Sequence, residues 1–594
     1  MVSVEIALTS VLIALAVAGD PVVEIPSGKL VGKSVEFSHE DLDVRCTVHI
    51  FQGIPYVAAP VGDLRFRRPQ PRAPWDGVYN ATYSRSICVQ PPSPFIPVEG
   101  EQDEDCLYLN LYAPQTNLNK LPVMVWIHGG GLYMGSGADR HYDGRTLASV
   151  GDVILVTFNY RLGALGFLAT GDEQISGNYG FYDQIAALQW VQDNIEAFGG
   201  DPNKVTIFGE SAGSVSVEYL ILSPLTDGLF HRAIMQSGTA TMEGFVGIGP
   251  EFQSKIAQGL GELVGCEKGN PEELIQCLRS VPAEEFRNPS DPALGLIANI
   301  TGLGTEVGPT PFPPVVDGSF MREKPVDVIR EKTFTKTNLD IMMGTMADEG
   351  SMYLLLFMAH LMGEPEVSMN RSVYEIAYPL FVSGPAKYNQ AALDAIRLMY
   401  VNWENADYDD ADYVDAFVQG SSDEYYTCPM DLSARAHSQA GANVYLYQMT
   451  HSPANSVWRI KWMRAAHGDD LPFVFGWHFY LGGEWTMPAE EVEMSLKIMK
   501  YWTNFAKTGN PNLPSDDAEL SGEDPTDEWP LFKVPGVAYK ELSPMMKSKR
   551  GLKAPECALW NDFIPKLLKY TDTDTLCSVA DDETEKYTKE KNQP

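Results

Sequence analysis

The stretch VTIFGESAGSVSVEYLILSP, residues 205–224, joins two apolar runs through a serine-centred turn that is flanked by glycines. It begins with β-branched and aromatic residues, which favour a buried strand, and apolar residues recur at helical spacing after Gly213. The stretch therefore predicts a strand, a tight turn and a helix. In the G-x-S-x-G turn, the glycines remove side chains where strand and helix crowd each other, so that the serine hydroxyl stays exposed. Ser211 is thus a candidate nucleophile, although short Gly/Ser turns are common and the rest of the chain must decide.

The length of the chain suits one large domain with long insertions. No Pro/Gly/Ser-rich linker or internal repeat divides its 594 residues. We predict one domain over residues 19–568 and a polar, acidic tail over residues 569–594. The formal net charge of −35 at pH 7 disfavours nucleic acid or an anionic membrane as a partner, because both would repel the protein. An acidic surface could steer cationic substrates, but solubility is the simpler explanation of the charge.

The two ends of the chain predict export without an anchor. Residues 1–18 carry an apolar run that ends in Ala16-Val17-Ala18, which is typical of a signal peptide cleaved near Gly19, although Glu5 stands where a basic residue is usual. The run is short for a membrane span, and the polar ending lacks the hydrophobic tail of a GPI signal. We expect a secreted, extracellular protein with no membrane anchor. Three sequons would then be glycosylation sites: Asn80, Asn299 and Asn370.

The eight cysteines favour an oxidising compartment. Cys46 and Cys577 have no obvious partner: they could pair with each other, stay free or cross-link two chains, so a homodimer through Cys577 is one possibility. The other six form plausible pairs: Cys88 with Cys106, Cys266 with Cys277, and Cys428 with Cys557.

Short apolar runs alternate with helical patterns along the chain. This alternation predicts an α/β fold with a doubly wound, mostly parallel sheet and helices on both faces. Ligands of such sheets bind beyond the carboxyl ends of the strands, so the loops after Ile127, Phe208 and Gly344 should converge. The predicted strands cover residues 122–127, 153–159, 205–208, 339–344 and 443–449.

A catalytic serine needs two further residues. A base must remove the hydroxyl proton, and a carboxylate must fix the tautomer of that base and stabilise its cation. In hydrolases with such a turn, the chain order is nucleophile, acid, histidine. Asp348 and Glu349 follow a predicted strand, and His467 lies among small residues in RAAHGDD, so these residues fit the order. The other downstream histidines lack that setting and are interpreted as structural: His360, His437, His451 and His478.

Ester hydrolysis also places negative charge on the former carbonyl oxygen, which oriented N–H groups must stabilise. The sequence WIHGGG, residues 126–131, puts a run of glycines directly after a predicted strand, where missing side chains let backbone amides face a site. Ala212, the residue after the nucleophile, offers a further N–H group. The glycine run and the serine turn together predict acyl-transfer chemistry, which needs no metal or cofactor.

Two segments resemble the signatures of the type-B carboxylesterase/cholinesterase family: FGGDPNKVTIFGESAG (198–213) and EDCLYLNLYAP (104–114). The resemblance extends over nearly the whole mature chain and implies the α/β-hydrolase fold. It implies a triad of Ser211, Glu349 and His467, which favours Glu349 over its neighbour as the acid. It further implies an oxyanion hole of Gly130, Gly131 and Ala212, the three cysteine pairs named above, Ser237 as a partner of the acid, and a structural ion pair of Arg65 and Glu104.

The substrate pocket does not match that of a cholinesterase. Cholinesterases bind quaternary ammonium with aromatic rings, but no Trp lies between Cys88 and Cys106, and Met352 precedes Tyr353 where two aromatic residues would be expected. The segment EVGPTPFPPVVDG keeps Phe312 but otherwise offers Gly and Thr where an aromatic acyl pocket would be expected, which indicates a roomier pocket. We therefore expect a general carboxylesterase for uncharged small-molecule or lipid esters. The candidate substrate-binding residues are Glu210, Tyr133, Phe312, Met352 and Tyr353.

Other functions remain open from sequence. The cholinesterase and bile-salt-activated lipase branches share much of the same wording, and neuroligin-like relatives keep the fold for adhesion without the serine. Here the triad is complete, which favours the enzyme. The acidic segment DYDDADYVD (407–415) lacks the glycine and final glutamate of a calcium loop, so we expect no metal there.

Overall fold

The computed structural model describes residues 19–571 except 43, 93–97, 119, 246–248, 267–269, 288–309, 311, 358–365, 459, 461 and 514–527. Several predictions fall outside these residues and stay predictions: the signal peptide over residues 1–18, the sequon at Asn299, the structural role of His360, the cysteine at position 577 and the tail beyond residue 571.

Within the described residues, most strands join one large sheet. The strands are β1 (Val22–Ile25), β2 (Gly28–Val31), β3 (Lys33–Ser38), β4 (Arg45–Pro55), β5 (Val78–Asn80), β6 (Tyr108–Pro114), β7 (Leu121–Ile127), β8 (Ile154–Phe158), β9 (Gly200–Glu210), β10 (Arg232–Gln236), β11 (Asp340–Met346), β12 (Asn443–Met449), β13 (Ala538–Leu542) and β14 (Ser548–Arg550). The large sheet has eleven strands in the order β14-β13-β12-β11-β10-β9-β7-β8-β6-β4-β3. The strands from β13 to β8 in that order run parallel, and antiparallel strands complete both edges.

Helices connect these strands and cover the sheet. Two short π-helices, Asp423–Thr427 and Leu559–Phe563, each join two α-helices in the last third of the chain. The described α-helices are Arg145–Gly151, Gly163–Phe167, Tyr179–Asn194, Ala212–Leu222, Pro250–Leu263, Pro271–Ser280, Pro325–Glu331, Ser351–Phe357, Arg371–Phe381, Gln390–Tyr400, Val414–Ser422, Cys428–Gln439, Leu471–Phe475, Trp477–Tyr480, Ala489–Thr508, Ala554–Ala558 and Ile564–Thr571.

The central strands are buried on both faces. Along β7, Val123 and Val125 pack into one apolar cluster, whereas Met124 and Trp126 pack into a second. Because successive side chains of a strand point to opposite faces, the two clusters lie on the two sides of the sheet. This arrangement confirms the predicted α/β fold with a mostly parallel sheet covered on both faces.

The order of the strands fixes where a ligand site can lie. β8 joins one side of β7 and β9 joins the other side, so the winding of the sheet reverses at β7. A crevice opens beyond the carboxyl ends of the strands at such a reversal. The glycine run follows β7 and the serine turn follows β9, so both meet at this crevice.

Disulfides and a buried ion pair connect segments of the chain. The structure contains disulfides between Cys88 and Cys106, Cys266 and Cys277, and Cys428 and Cys557, and Cys46 is a free, half-buried thiol. The guanidinium of Arg65 donates to Glu104, with 2.7 Å between Nε and Oε1. In the described part of the chain, no helix combines the length and the apolar character needed to cross a membrane.

Candidate active site

The serine turn adopts the sharp geometry that its sequence predicts. β9 ends at Glu210, the helix Ala212–Leu222 begins two residues later, and Ser211 between them has φ 57° and ψ −126°. The Ser211 N–H donates to the carbonyl of Gln236 at 2.8 Å. A Cβ atom at Gly213 would lie 2.0 Å from the carbonyl oxygen of Ile127, so only glycine fits there. Ser211 is thus a non-glycine residue at positive φ, a strained conformation that is frequent at functional sites.

The acid and the histidine meet across the carboxyl end of β11. The Nδ1 atom of His467 lies 2.6 Å from Oε2 of Glu349, and both side chains are buried. The other carboxylate oxygen of Glu349 accepts from the backbone N–H of Met346 at 2.8 Å. A proton on Nδ1 donated to Glu349 leaves Nε2 with a free lone pair, as a general base requires. Nε2 lies 3.1 Å from Oε1 of Glu210.

Asp348, the neighbouring candidate acid, has different partners. Its carboxylate accepts from the guanidinium of Arg464 and, at 2.8 Å, from the side-chain amide of Gln419. Its backbone N–H donates to the carbonyl of Ala465 at 3.0 Å, which ties the acid loop to the histidine loop. Of the two adjacent acids, Glu349 therefore contacts His467, whereas Asp348 connects the acid loop to the histidine loop and to Arg464.

The glycine run packs directly on the serine turn. A Cβ atom at Gly129 would lie 2.7 Å from the carbonyl oxygen of Glu210 and 3.0 Å from Cβ of Ser211. Gly130 and Gly131 both have positive φ, 99° and 63°, which residues with a side chain rarely adopt. The predicted oxyanion segment thus lies against Ser211, the candidate nucleophile, without intervening side chains.

Buried carboxylates dominate the electrostatics around His467. Burial disfavours the imidazolium, but the negative charges of Glu210, Glu349 and Asp470 outweigh it and raise the pKa of His467 to about 9. For a carboxyl group burial acts in the opposite direction: it raises the pKa of Glu210 to about 8, although the nearby His467 lowers it. It also raises the pKa of Asp470 to about 6. Protonation of one group therefore changes the charge that the others experience.

Residues 19–560 of the chain match the carboxylesterase family. The chain is similar to acetylcholinesterase of Danio rerio, with 37% identity over 572 residues, which cover 89% of this chain and 86% of the relative. It is also similar to acetylcholinesterase of Bungarus fasciatus, with 35% identity over 536 residues, which cover 88% and 84%. The chain belongs to the carboxylesterase family. The resemblance seen in the sequence is thereby confirmed, and this carboxylesterase is a carboxylic ester hydrolase of the serine hydrolase class.

The predicted pocket residues of this carboxylesterase differ in accessibility. Tyr133, which follows the glycine run, and Met352, in the first turn after the acid, are half-buried and can meet a ligand. Phe312 and Tyr353 are almost fully buried in the main apolar cluster. Glu210 directly precedes Ser211 in the turn, and its Oε1 lies 3.1 Å from Nε2 of His467.

The contacts of three other predicted positions, one serine and two sequon asparagines, do not assign them a role. The Ser237 hydroxyl is buried and makes no hydrogen bond with any described residue, so the expected contact with Glu349 is not made in this structure. Among the sequons, Asn370 is exposed at the start of a helix, and Asn80 is half-buried with its side-chain oxygen bound to Thr82. The roles of all three stay predictions.

Sequence reasoning missed several groups around the carboxylesterase site. Asp470 accepts from Gln236, and Gln236 also holds the serine turn through its backbone carbonyl. The indole N–H of Trp458 donates to the carbonyl of His467 at 2.7 Å. The ring of Tyr426 lies on the imidazole. Asp470 had a usable signal because it closes the segment RAAHGDD, and Gln236 had one because it directly precedes Ser237, whereas Trp458 and Tyr426 are adjacent to no motif.

Proposed function

We propose that this carboxylesterase is a secreted enzyme that cleaves uncharged carboxylic esters through an acyl-enzyme intermediate on Ser211. The contact of 2.6 Å between His467 Nδ1 and Glu349 Oε2, on the carboxyl side of the sheet, is the observation that carries this proposal. It leaves Nε2 as the base in the crevice that Ser211 occupies. We further propose residues 19–568 as its catalytic domain.

The reaction has two halves. Nε2 of His467 takes the proton of the Ser211 hydroxyl while Oγ attacks the ester carbonyl carbon, and the N–H groups of Gly130, Gly131 and Ala212 stabilise the oxyanion. The imidazolium then gives its proton to the leaving alcohol, and the acyl group stays on Oγ. Water, activated by the same histidine, attacks the acyl carbon, and release of the acid restores the serine. Glu349 keeps the imidazole in the required tautomer throughout.

The preference for uncharged esters rests on the pocket wall after the acid. Met352 is half-buried and carries no ring, and Tyr353 beside it is packed against other tyrosines. A quaternary ammonium group gains its affinity from exposed ring faces in a desolvated site. Met352 offers a thioether instead, which suits a neutral alcohol or acyl chain.

The proposal is tested with an organophosphate probe and an ester panel. The wild-type protein should be labelled on Ser211 and should hydrolyse short-acyl and long-acyl neutral esters. Ser211→Ala should lose labelling and about 10⁴–10⁶-fold in kcat while keeping the Tm of the wild type, because the hydroxyl contributes little to packing. Turnover by Ser211→Ala near the wild-type rate would contradict the assignment, and absent labelling of the wild type would favour an adhesion protein of neuroligin type.

A choline ester is the second candidate substrate. The two relatives named above are acetylcholinesterases, and the buried carboxylate of Glu210 could attract a cation into the site. A lipase that is activated by bile salts is a further alternative within the same family. The ester panel, run with and without a bile salt, separates these possibilities.

A further inference from the structure

The proposed reaction does not use the π-helix Asp423–Thr427, which joins the helices Val414–Ser422 and Cys428–Gln439. π-helical turns are rare and are frequently found at functional sites. This one carries two adjacent tyrosines, Tyr425 and Tyr426, and both are buried. The question is what the inserted turn positions.

Tyr426 contacts the catalytic imidazole. The centre of its ring lies 4.9 Å from the centre of the His467 ring, with 46° between the two planes. Its phenol oxygen is 3.4 Å from that of Tyr353, which is long for a hydroxyl pair. The ring, rather than the hydroxyl, therefore makes the close contact of this side chain.

Tyr425 offers a natural comparison. Its ring packs on Tyr353 at 4.7 Å, and its hydroxyl donates to the backbone carbonyl of Phe381. Within the described residues it makes no ring contact with His467. The two neighbouring tyrosines thus share type, burial and helix, and they differ in their contact with the base.

The π-helix is fixed against the acid loop. Glu424 accepts from the backbone N–H and the hydroxyl of Ser383 at 2.7 and 2.6 Å. On the other side, the N–H of Gly350, the residue after Glu349, donates to the hydroxyl of Ser422 at 2.8 Å. The π-helix is therefore anchored both to the neighbouring helical layer and to the loop that carries the catalytic acid.

We propose that Tyr426 is a positioning residue for the general base: its ring fixes the plane of the His467 imidazole and stabilises the imidazolium that forms during acyl transfer. An aromatic ring attracts a cation within about 6 Å of its centre, and more strongly in a desolvated site. Burial keeps the phenol of Tyr426 neutral, since its pKa is raised well above the usual range. This inference rests on the proposed triad.

The sign of the effect follows from the groups that face His467. Three carboxylates favour the imidazolium: Glu210 at the end of β9, Glu349 after β11, and Asp470, which follows His467 in the same loop. The ring of Tyr426, on the π-helix, acts in the same direction. Loss of the ring should therefore lower the pKa of His467, so that the acid limb of the pH–rate profile moves to lower pH.

The first test compares three variants by their pH profiles of kcat/KM. Tyr426→Leu should lower kcat/KM by about 3- to 30-fold and move the midpoint of the acid limb down by about 0.4–1.5 pH units. Tyr426→Phe keeps the ring and should keep the midpoint. Tyr425→Leu should also keep the midpoint, whatever it does to Tm. An unchanged midpoint in Tyr426→Leu, or an equal shift in Tyr425→Leu, would overturn the proposal.

A second test avoids a cavity at this buried position. Phenylalanines with one, two or three ring fluorines at position 426 keep the shape of the side chain and progressively weaken the negative ring face. We expect the acid-limb midpoint to fall stepwise with fluorination, and a midpoint that ignores fluorination would overturn the proposal. Wild-type protein is assayed in parallel: if it hydrolyses no ester and takes no organophosphate label, the proposed triad fails first.

Discussion

Two buried charged regions of this carboxylesterase differ in how their polar atoms are satisfied. Arg161 donates through Nε and Nη2 to the two oxygens of Asp183, each at 2.7 Å, and through Nη1 to a backbone carbonyl. Around His467, by contrast, Oε1 of Glu210 lies 3.1 Å from Nε2 of the imidazole without an aligned hydrogen bond, and Oδ1 of Asp470 has no hydrogen-bond partner among the described residues. Both regions are almost fully shielded from solvent.

The difference separates structure from chemistry. Both oxygens of Asp183 accept hydrogen bonds from Arg161, so this buried ion pair holds two segments of the chain in one geometry. Buried carboxylates whose oxygens are not fully hydrogen-bonded stabilise a positive charge that forms on a neighbouring group during a reaction. The pair of Arg161 and Asp183 is therefore expected to govern stability, and the cluster around His467 to govern rate and its pH dependence.

The largest expected effect separates the two adjacent acids. Glu349→Gln should lower kcat by about 10⁴-fold, because the amide can no longer favour the required tautomer and cation of His467. Asp348→Asn, one residue away, should change kcat by less than about tenfold, since Asp348 contacts Arg464 and Gln419 instead. The measurement is steady-state kinetics on one neutral ester. Equal losses in the two variants would remove the distinction between them.

The next effect concerns stability. Asp183→Asn should lower the free energy of unfolding by about 3–5 kcal/mol, because it leaves the buried guanidinium of Arg161 without its counter-charge. The matched control is Glu375→Gln, which breaks partly exposed pairs with Arg371 and Arg397 and should change the free energy of unfolding far less, because water screens exposed ion pairs. Chemical denaturation measures both. A cost for Asp183→Asn as small as that of the control would show that this pair is not a structural clamp.

A smaller effect appears in the pH profile. His467 must be neutral to act as base, and Glu210 and Glu349 raise its pKa, so activity should fall on acidification at a higher pH than for an ordinary imidazole. Glu210→Gln removes one raising charge and should move the acid limb down by roughly one pH unit. Asp470→Asn should shift it in the same direction by less. An upward shift in either variant would contradict the assigned electrostatics.

The smallest expected effect tests the substrate preference. A choline ester and a neutral ester of the same acyl chain and similar size should differ in kcat/KM by less than about tenfold, because Met352 contributes no cation–π contact. Coulomb attraction by Glu210 and by the acidic surface should weaken at high salt. A large choline preference that survives high salt would instead mean that aromatic rings, such as Tyr133, have rebuilt a cation site.

Much of the fold was predictable from local patterns. The apolar runs that predict strands correspond to β7, β8, β9, β11 and β12, with shifts of a few residues at their ends. The serine turn was readable because its two glycines report a steric requirement that the structure shows at Gly213. Edge strands such as β3 and β14 were not predicted, because their short, mixed sequences carry no clear period.

The sequence by itself determined the family, the fold class and the motifs of the site, since these depend on residues that are neighbours along the chain. Chain order left both adjacent acids open and only the family resemblance favoured Glu349; the tertiary structure brings Glu349 to His467 and turns Asp348 to Arg464, because consecutive residues in a tight turn point in different directions. It also decided that Tyr426 lies on the imidazole, since that contact joins a π-helix and a loop that only the packing of the whole domain brings together. The charge state of the site follows from the same packing, because burial sets the pKa of Glu210 as much as its chemical type does.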